Sequence, residues 1–188
     1  MIVNEPIVVM NEIDIVRDLT EKLESIGVSF MITGSLAMNY YAVPRMTRDI
    51  DLVVELTESD VDGMYSVFSP DYYVAREAME EATREKTMFN MIHDESIIKV
   101  DCIVRKDSVY RKQEFERRKR IRIQDFETWI VSKEDLVLSK LVWAGDSRSE
   151  MQLRDAGNLL KTGCDDKYLW KWAGQLKVDS ILRELLHE

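Results

Sequence analysis

Asp49 and Asp51 stand two residues apart in an apolar run that extends from Ile50 to Leu56. In a strand, residues i and i+2 project from the same face, so the two carboxylates point one way while Ile50, Leu52 and Val54 pack on the other. Carboxylates this close repel each other unless a cation or a proton sits between them. Upstream, Gly34-Ser35 closes a second apolar run (Val28 to Ile32) and opens a helical pattern. Such a turn offers backbone N–H groups and a hydroxyl to a phosphate, and glycine lets the phosphate come close. A third acid, Asp101, shares a strand face with Lys99 and Ile103, opposite Ile98, Val100, Cys102 and Val104. A lone carboxylate in an apolar strand is costly unless it is paired or bound to metal. Asp94 lies nearby, but only Asp101 sits inside a strand pattern.

Three carboxylates beside a phosphate turn suit metal-assisted phosphoryl chemistry. Mg²⁺ uses few carboxylates and keeps several waters. Two ions ~3.5–4 Å apart can hold the attacking and leaving oxygens of an in-line displacement. Asp49, Asp51 and Asp101 supply three carboxylates for such a pair of Mg²⁺ (or Mn²⁺) ions, and the Gly34-Ser35 turn suits the phosphate tail of an NTP. The acid-x-acid spacing alone says little, since 35 of 188 residues are acidic and Glu12/Asp14, Glu58/Asp60, Asp60/Asp62 and Glu114/Glu116 share it. The combination with Gly34-Ser35 and Asp101 carries the weight.

The elements that must position these groups follow from periodicity and turn residues. Ile15, Val16, Leu19, Leu23 and Ile26 predict a helix over 12–26, ended by Gly27. A strand over 28–33, a helix over 36–42 stopped before Pro44, a basic loop over 45–48 and a strand over 50–56 follow. Ser59 or Asp60 is expected to cap a helix reaching Phe68. Strands are expected over 72–74, 88–93 and 97–104, the last two joined by a turn at 94–96, with a helix over 76–84 between the first two. A charged helix over 108–119 and strands over 120–123 and 128–131 complete this part. From Ser132 onward the pattern is helical, opening on a capping box with Asp135 in its last position. The fold class expected is thus α+β (mixed α/β): a small central mixed β-sheet flanked by helices over 1–131, then a C-terminal helical region over 132–188.

Two charges sit on apolar rows of that helical region. Lys140 lies between Leu136 and Trp143, and Asp155 between Met151 and Leu159. Either Lys140 snorkels to water while Asp155 pairs with it or caps a helix, or both point into the cleft between tail and sheet.

Composition excludes several classes. A net charge of −9 argues against a general nucleic-acid binder, although 105–122 holds nine Lys or Arg against three acids. That segment is either a contact for a polyanion such as RNA (tRNA) or a solvated helix face and a charge-guarded edge strand. No apolar run is long enough to span a bilayer. The N-terminal acids Glu5, Glu12 and Asp14, without a basic lead-in, predict no signal peptide. Cys102 and Cys164 make no disulfide framework, so a cytoplasmic location is expected. With His93 and His187 they also lack zinc-ligand spacing. Phosphate loops of the Gly-x-x-x-x-Gly-Lys-Ser/Thr and Gly-x-Gly-x-x-Gly types are missing from the sequence. Trp129, Trp143, Trp170 and Trp172 are expected in the core or under the tail.

Read together, Thr33-Gly34-Ser35 and Asp49-Ile50-Asp51-Leu52 resemble the signature of the nucleotidyltransferase superfamily of DNA polymerase beta. That signature is an apolar residue, Gly, Gly or Ser, a spacer, and Asp-apolar-Asp; here threonine takes the first place. The wording from Arg45 to Leu52 is similar to small prokaryotic members, including AbiEii-type toxin relatives. Ser132 to Lys140 and Arg154-Asp155 resemble a later segment of the same proteins, so the likeness covers most of 28–160. It implies Asp49 and Asp51 as metal ligands, and Asp101 as third carboxylate and general base. It also implies Gly34 and Ser35 at the β- and γ-phosphates, Arg48 and Arg45 as counter-charges, Lys140 at a phosphate, and Asp155 orienting it or the acceptor. The function it implies is transfer of an NMP from an NTP to a hydroxyl of RNA, protein or a small molecule, in a toxin that would have an antitoxin partner. A catalytically silent domain binding nucleotide or a partner is the alternative.

Overall fold

The computed structural model describes residues 10–47, 49–147 and 149–187. Glu5 and Arg48, both named above, lie outside the described residues. Helix α1 (Glu12–Ser25) begins at Asn11, whose side chain accepts from the N–H groups of Ile13 and Asp14 while Asp14 accepts from the Asn11 N–H. This reciprocal cap fixes where the helix starts, and Ile15, Val16, Leu19 and Leu23 bury its inner face. Strand β1 (Phe30–Ile32) is wholly buried. Helix α2 (Gly34–Tyr41) and strand β2 (Asp49–Val54) follow.

Helix α3 (Val61–Phe68) is entered through a short 3₁₀ turn over Glu58–Asp60. Asp60 stands at its N-cap position, as expected, but its side chain makes no cap bond there, and the capping bonds lie one turn earlier, at Thr57. Asp60 instead returns its carboxylate to the Thr57 N–H at 2.8 Å, so it occupies the closing position of the box. Strand β3 (Tyr72–Val74), helix α4 (Arg76–Glu85), strand β4 (Met88–His93) and strand β5 (Lys99–Val104) come next. Helix α5 (Val109–Glu116) is capped by Ser108 and leads to strands β6 (Lys119–Ile123) and β7 (Phe126–Ile130).

These strands make one mixed sheet, in the order β3-β4-β5-β2-β1-β7-β6. Two neighbouring pairs are parallel, β2 with β5 and β1 with β7; the rest are antiparallel. Parallel neighbours need a crossover. The chain from Glu55 to Ile98 supplies it for β2 and β5, carrying α3, β3, α4 and β4.

The helical region consists of α6 (Lys133–Ser147), α7 (Glu150–Leu160), α8 (Asp166–Leu176) and α9 (Asp179–His187). One buried apolar cluster runs from α1 (Leu19) through the sheet (Phe30, Leu52, Val100) to α6 and α9 (Leu141, Leu182). At the start of α6 the Ser132 hydroxyl accepts from the Asp135 N–H at 3.3 Å, as expected. The return arm differs: Asp135 takes the Ser132 hydroxyl, Arg117 Nε at 3.1 Å and Tyr168 Oη at 2.7 Å. A fully buried carboxylate needs more than one donor, and these three tie α6 to the end of α5 and to α8.

Candidate active site

Strands β2 and β5 bring the carboxylates together. Their register sets Asp51 beside Asp101 and Asp49 beside Lys99, on strands that lie ~4.8 Å apart. Ile50, Leu52, Val100 and Cys102 on the opposite face are buried, so a slip of one residue would turn the acids into the core. Asp94 lies away in the exposed turn after β4. Burial raises the pKa of Asp51, the charges of Asp101 and Asp49 raise it further, and the Ser35 N–H and Lys140 oppose the rise. Asp101 accepts from Asn90 Nδ2 at 2.7 Å and pairs with Lys99 Nζ at 2.8 Å. The Lys99 ammonium is in turn held above the usual lysine range by Asp101, with Asp49 and Asp51 adding to the effect.

The Gly34-Ser35 turn stands directly over Asp51. The Thr33 N–H donates to the Asp51 carbonyl at 2.9 Å, and the Ser35 backbone favours the charged form of the Asp51 carboxylate. Gly34 has φ +61°, and a Cβ built there would lie 1.9 Å from Asp51 Oδ2. Glycine is therefore required by the carboxylate packed against it, whether or not a phosphate is present.

Behind the turn lies a buried polar network. Arg45 Nη2 donates to Ser35 Oγ at 2.7 Å and to Asp155 Oδ2 at 3.3 Å. Asp155 also pairs with Lys140 Nζ at 2.8 Å, and Lys140 donates to Gln152 Oε1 at 3.1 Å. Asn39 pins the Arg45 backbone from both sides, donating to its carbonyl and accepting from its N–H. Each reading of the tail charges holds in part: Lys140 pairs with Asp155 and does not snorkel, since its side chain is 5% exposed, and Lys140, but not Asp155, lines the cleft. That cleft, about 500 Å³, is bounded by Gly34, Ser35 and Asp51, by Val53, Met88 and Ile103, and by Ser139, Lys140 and Trp143 of α6.

No protein-family model matches the sequence, and no curated protein does. Solved structures do match. An antigenic nucleotidyltransferase-like protein from Paracoccidioides brasiliensis superposes with a TM-score of 0.62 at 14% identity, over 92% of this chain and 86% of that one. ANT(2″)-Ia in complex with adenylyl-2″-tobramycin gives 0.56 at 12% identity, over 95% and 98%. The lincosamide antibiotic adenylyltransferase LnuA, lincomycin-bound, gives 0.54 at 15% identity, over 81% and 98%. The chain has a nucleotidyltransferase fold.

Within that fold, Gly34, Ser35, Asp51 and Lys140 line the cleft, Arg45 and Asp155 join them through Ser35 and Lys140, and Asp49 and Asp101 stand beside Asp51 on β2 and β5; Arg48 lies outside the described residues. Among the described residues, no three His, Cys, Asp or Glu side chains converge as a ready-made metal cage. The carboxylates nevertheless fit a hard divalent cation in donor type and charge. Burial and the neighbouring acids oppose the charge of Asp51, and a cation would relieve that. Lys99 supplies the counter-charge here.

The basic segment 105–122 divides. Arg105, Lys106 and Arg111 line the cleft, whereas Lys119, Arg120 and Arg122 belong to β6, an edge of the sheet. Arg117 is spent on Glu134 and Asp135. The tryptophans divide too. Trp172 is buried and Trp129 carries the guanidinium groups of Arg118 and Arg120, but Trp143 is 57% exposed and Trp170 38%, contrary to the placement in the core or under the tail expected for them. Asn90, Asn39 and Gln152, and Lys99 as the partner of Asp101, are site residues beyond those expected from sequence. Lys99 was legible in the sequence, being two residues from Asp101 on the same face; the others join only through tertiary contacts.

Proposed function

We propose that the protein is a divalent-metal-dependent nucleotidyltransferase that moves an NMP from an NTP to an acceptor hydroxyl. The observation that carries this is the cross-strand pairing of Asp51 with Asp101, beside Asp49, under the Gly34-Ser35 turn and within reach of the Lys140 charge. The acceptor oxygen attacks the α-phosphorus, the bond to the β-phosphate oxygen breaks, and pyrophosphate leaves. Asp101 takes the acceptor proton. The Gly34-Ser35 turn and Lys140 bind the β- and γ-phosphates, and Arg45, oriented by Asn39 and Asp155, offsets the charge that develops on them. Mg²⁺ or Mn²⁺ held by Asp49, Asp51 and Asp101 supplies Lewis-acid neutralisation of the phosphate oxygens when bound.

The cleft's charge bears on the acceptor. Lys86, Arg105, Lys106, Arg111 and Lys140 line it against Asp51 and Glu114. Arg105, Arg111 and Lys140 are already paired with Glu55, Glu114 and Asp155, which leaves Lys86 and Lys106, among the described residues, to favour an acceptor with negative charge, RNA included. The toxin reading rests only on the resemblance of Arg45 to Leu52, Ser132 to Lys140 and Arg154-Asp155. Growth arrest on expression, relieved by the product of an adjoining reading frame, tests it.

A second reading, a silent domain that binds nucleotide or a partner, draws on one observation: Lys99 already neutralises Asp101. Label transfer from α-labelled NTPs to the RNA and protein of a cell extract, with Mg²⁺, separates the two. The enzyme reading expects transfer by the wild type and none by folded Asp51→Asn. Equal transfer by the variant would remove Asp51 from the metal site, and no transfer by the wild type from any NTP would leave the silent reading.

A further inference from the structure

Trp143 and Met88 are exposed large apolar side chains, at 57% and 45%, and both line the cleft. They approach it from different layers: Met88 opens β4 on the sheet, and Trp143 stands on α6. On a helix that buries so much of its surface, Trp143 is left more than half exposed. On α6, Trp143 follows Lys140 by three residues, and side chains at that spacing project over the same helix face. Lys140 is held in place by Asp155 and Gln152, with its Nζ at 2.8 and 3.1 Å from their oxygens. The wall of the cleft therefore presents a positioned ammonium group, paired with Asp155, and, one turn further on, a flat aromatic surface, with Lys86 and Lys106 also in the lining. A molecule with negative charge at one end and a flat ring at the other, joined by a short spacer, would meet these groups. A nucleotide has this form.

We propose that Trp143 and Met88 form the nucleobase slot of this cleft, and that the slot selects purine over pyrimidine triphosphates. The inference rests on the nucleotidyltransferase reading and extends it to the choice of NTP. Stacking of a base on an aromatic ring tolerates any base, but its strength grows with the area of the overlapping faces, which favours the two-ring purines. Met88 closes the other side of the slot with a polarizable side chain that adapts to the ring it meets.

Non-hydrolysable ATP, GTP, CTP and UTP analogues and inorganic tripolyphosphate are titrated in Mg²⁺ into the wild type, Trp143→Ala, Trp143→Phe and Met88→Ala, by calorimetry and by quenching of tryptophan fluorescence. Trp143 is exposed, so its variants are expected to keep the wild-type circular dichroism. Purine analogues should bind the wild type more tightly than pyrimidine analogues. Trp143→Ala should lose about five- to a hundredfold in purine affinity, the range that removal of a base-stacking aromatic produces. Trp143→Phe should keep most of it, Met88→Ala should lose less than Trp143→Ala, and tripolyphosphate should bind every variant alike. Unchanged purine affinity in Trp143→Ala, or an equal loss for tripolyphosphate, overturns the slot while leaving nucleotide binding intact. Equal wild-type affinity for all four bases overturns the purine preference. If neither nucleotides nor tripolyphosphate bind the wild type, the nucleotidyltransferase reading falls and the slot with it.

Discussion

Replacing Gly34 by alanine tests the geometry at its tightest point. The added Cβ would lie 1.9 Å from Asp51 Oδ2, 2.5 Å from its Cγ and 2.8 Å from its Cβ. Non-bonded carbon atoms settle at about 3.5–4.0 Å, so the carboxylate and the turn must separate by roughly an ångström or more. A misplacement of about 1 Å in a reacting constellation costs on the order of a hundredfold in rate. Label transfer in Mg²⁺ is therefore expected to drop at least that far. The backbone adds its own term, because φ at Gly34 is +61° and a side chain in that region costs about 1–2 kcal/mol. For a chain of this size that corresponds to a fall in Tm of about 2–8 °C. Gly163→Ala separates the two effects, since Gly163 has φ +78° with nothing within 4 Å of an added Cβ. It should lose comparable stability and retain transfer. If Gly34→Ala transfers at the wild-type rate and melts like Gly163→Ala, the Gly34–Asp51 contact does not set the position of the carboxylate.

Two further outcomes concern buried charge. Asp155→Ala leaves Lys140 buried with Gln152 as its remaining acceptor, and breaking a buried pair by removing one partner costs about 3–5 kcal/mol. Urea denaturation should show a loss of that order, and the double variant Lys140→Met/Asp155→Leu should lose less than Asp155→Ala alone. Glu114 is 2% exposed, and burial lifts its pKa above the usual glutamate range despite Arg111 and Ser139. A carboxyl with a raised folded pKa binds its proton more tightly when folded, so its contribution to stability improves as pH falls from neutral through that pKa. The stability of the wild type relative to Glu114→Gln, followed by denaturation across that range, should shift in favour of the wild type on acidification. A gap independent of pH would mean that burial does not raise the Glu114 pKa.

Much of the framework was legible along the chain because it depends on local periods and caps. The spacing of Ile15, Leu19 and Leu23 specifies α1, and the alternation around Asp49 and Asp51 specifies which way the acids face. Gly34-Ser35 marks the turn, and the lone acid in the pattern of β5 singles out Asp101 over Asp94. Tertiary structure alone decided the rest. Asp51 and Asp101 are neighbours because the crossover from Glu55 to Ile98 returns β5 parallel to β2 in one register, and the register is set by core packing on the opposite face. The close approach of Asp51 makes Gly34 obligatory, a constraint between residues on different elements that no local pattern carries. Likewise the basic residues of 105–122 look alike in sequence, yet the end of β5 puts Arg105 and Lys106 in the cleft, α5 puts Arg111 there, and β6 runs at the edge. Helical spacing placed Lys140 and Trp143 on one row of α6. Which layer each would meet, and so why one is buried against Asp155 and the other left open, depended on how α7 and the sheet close around that helix.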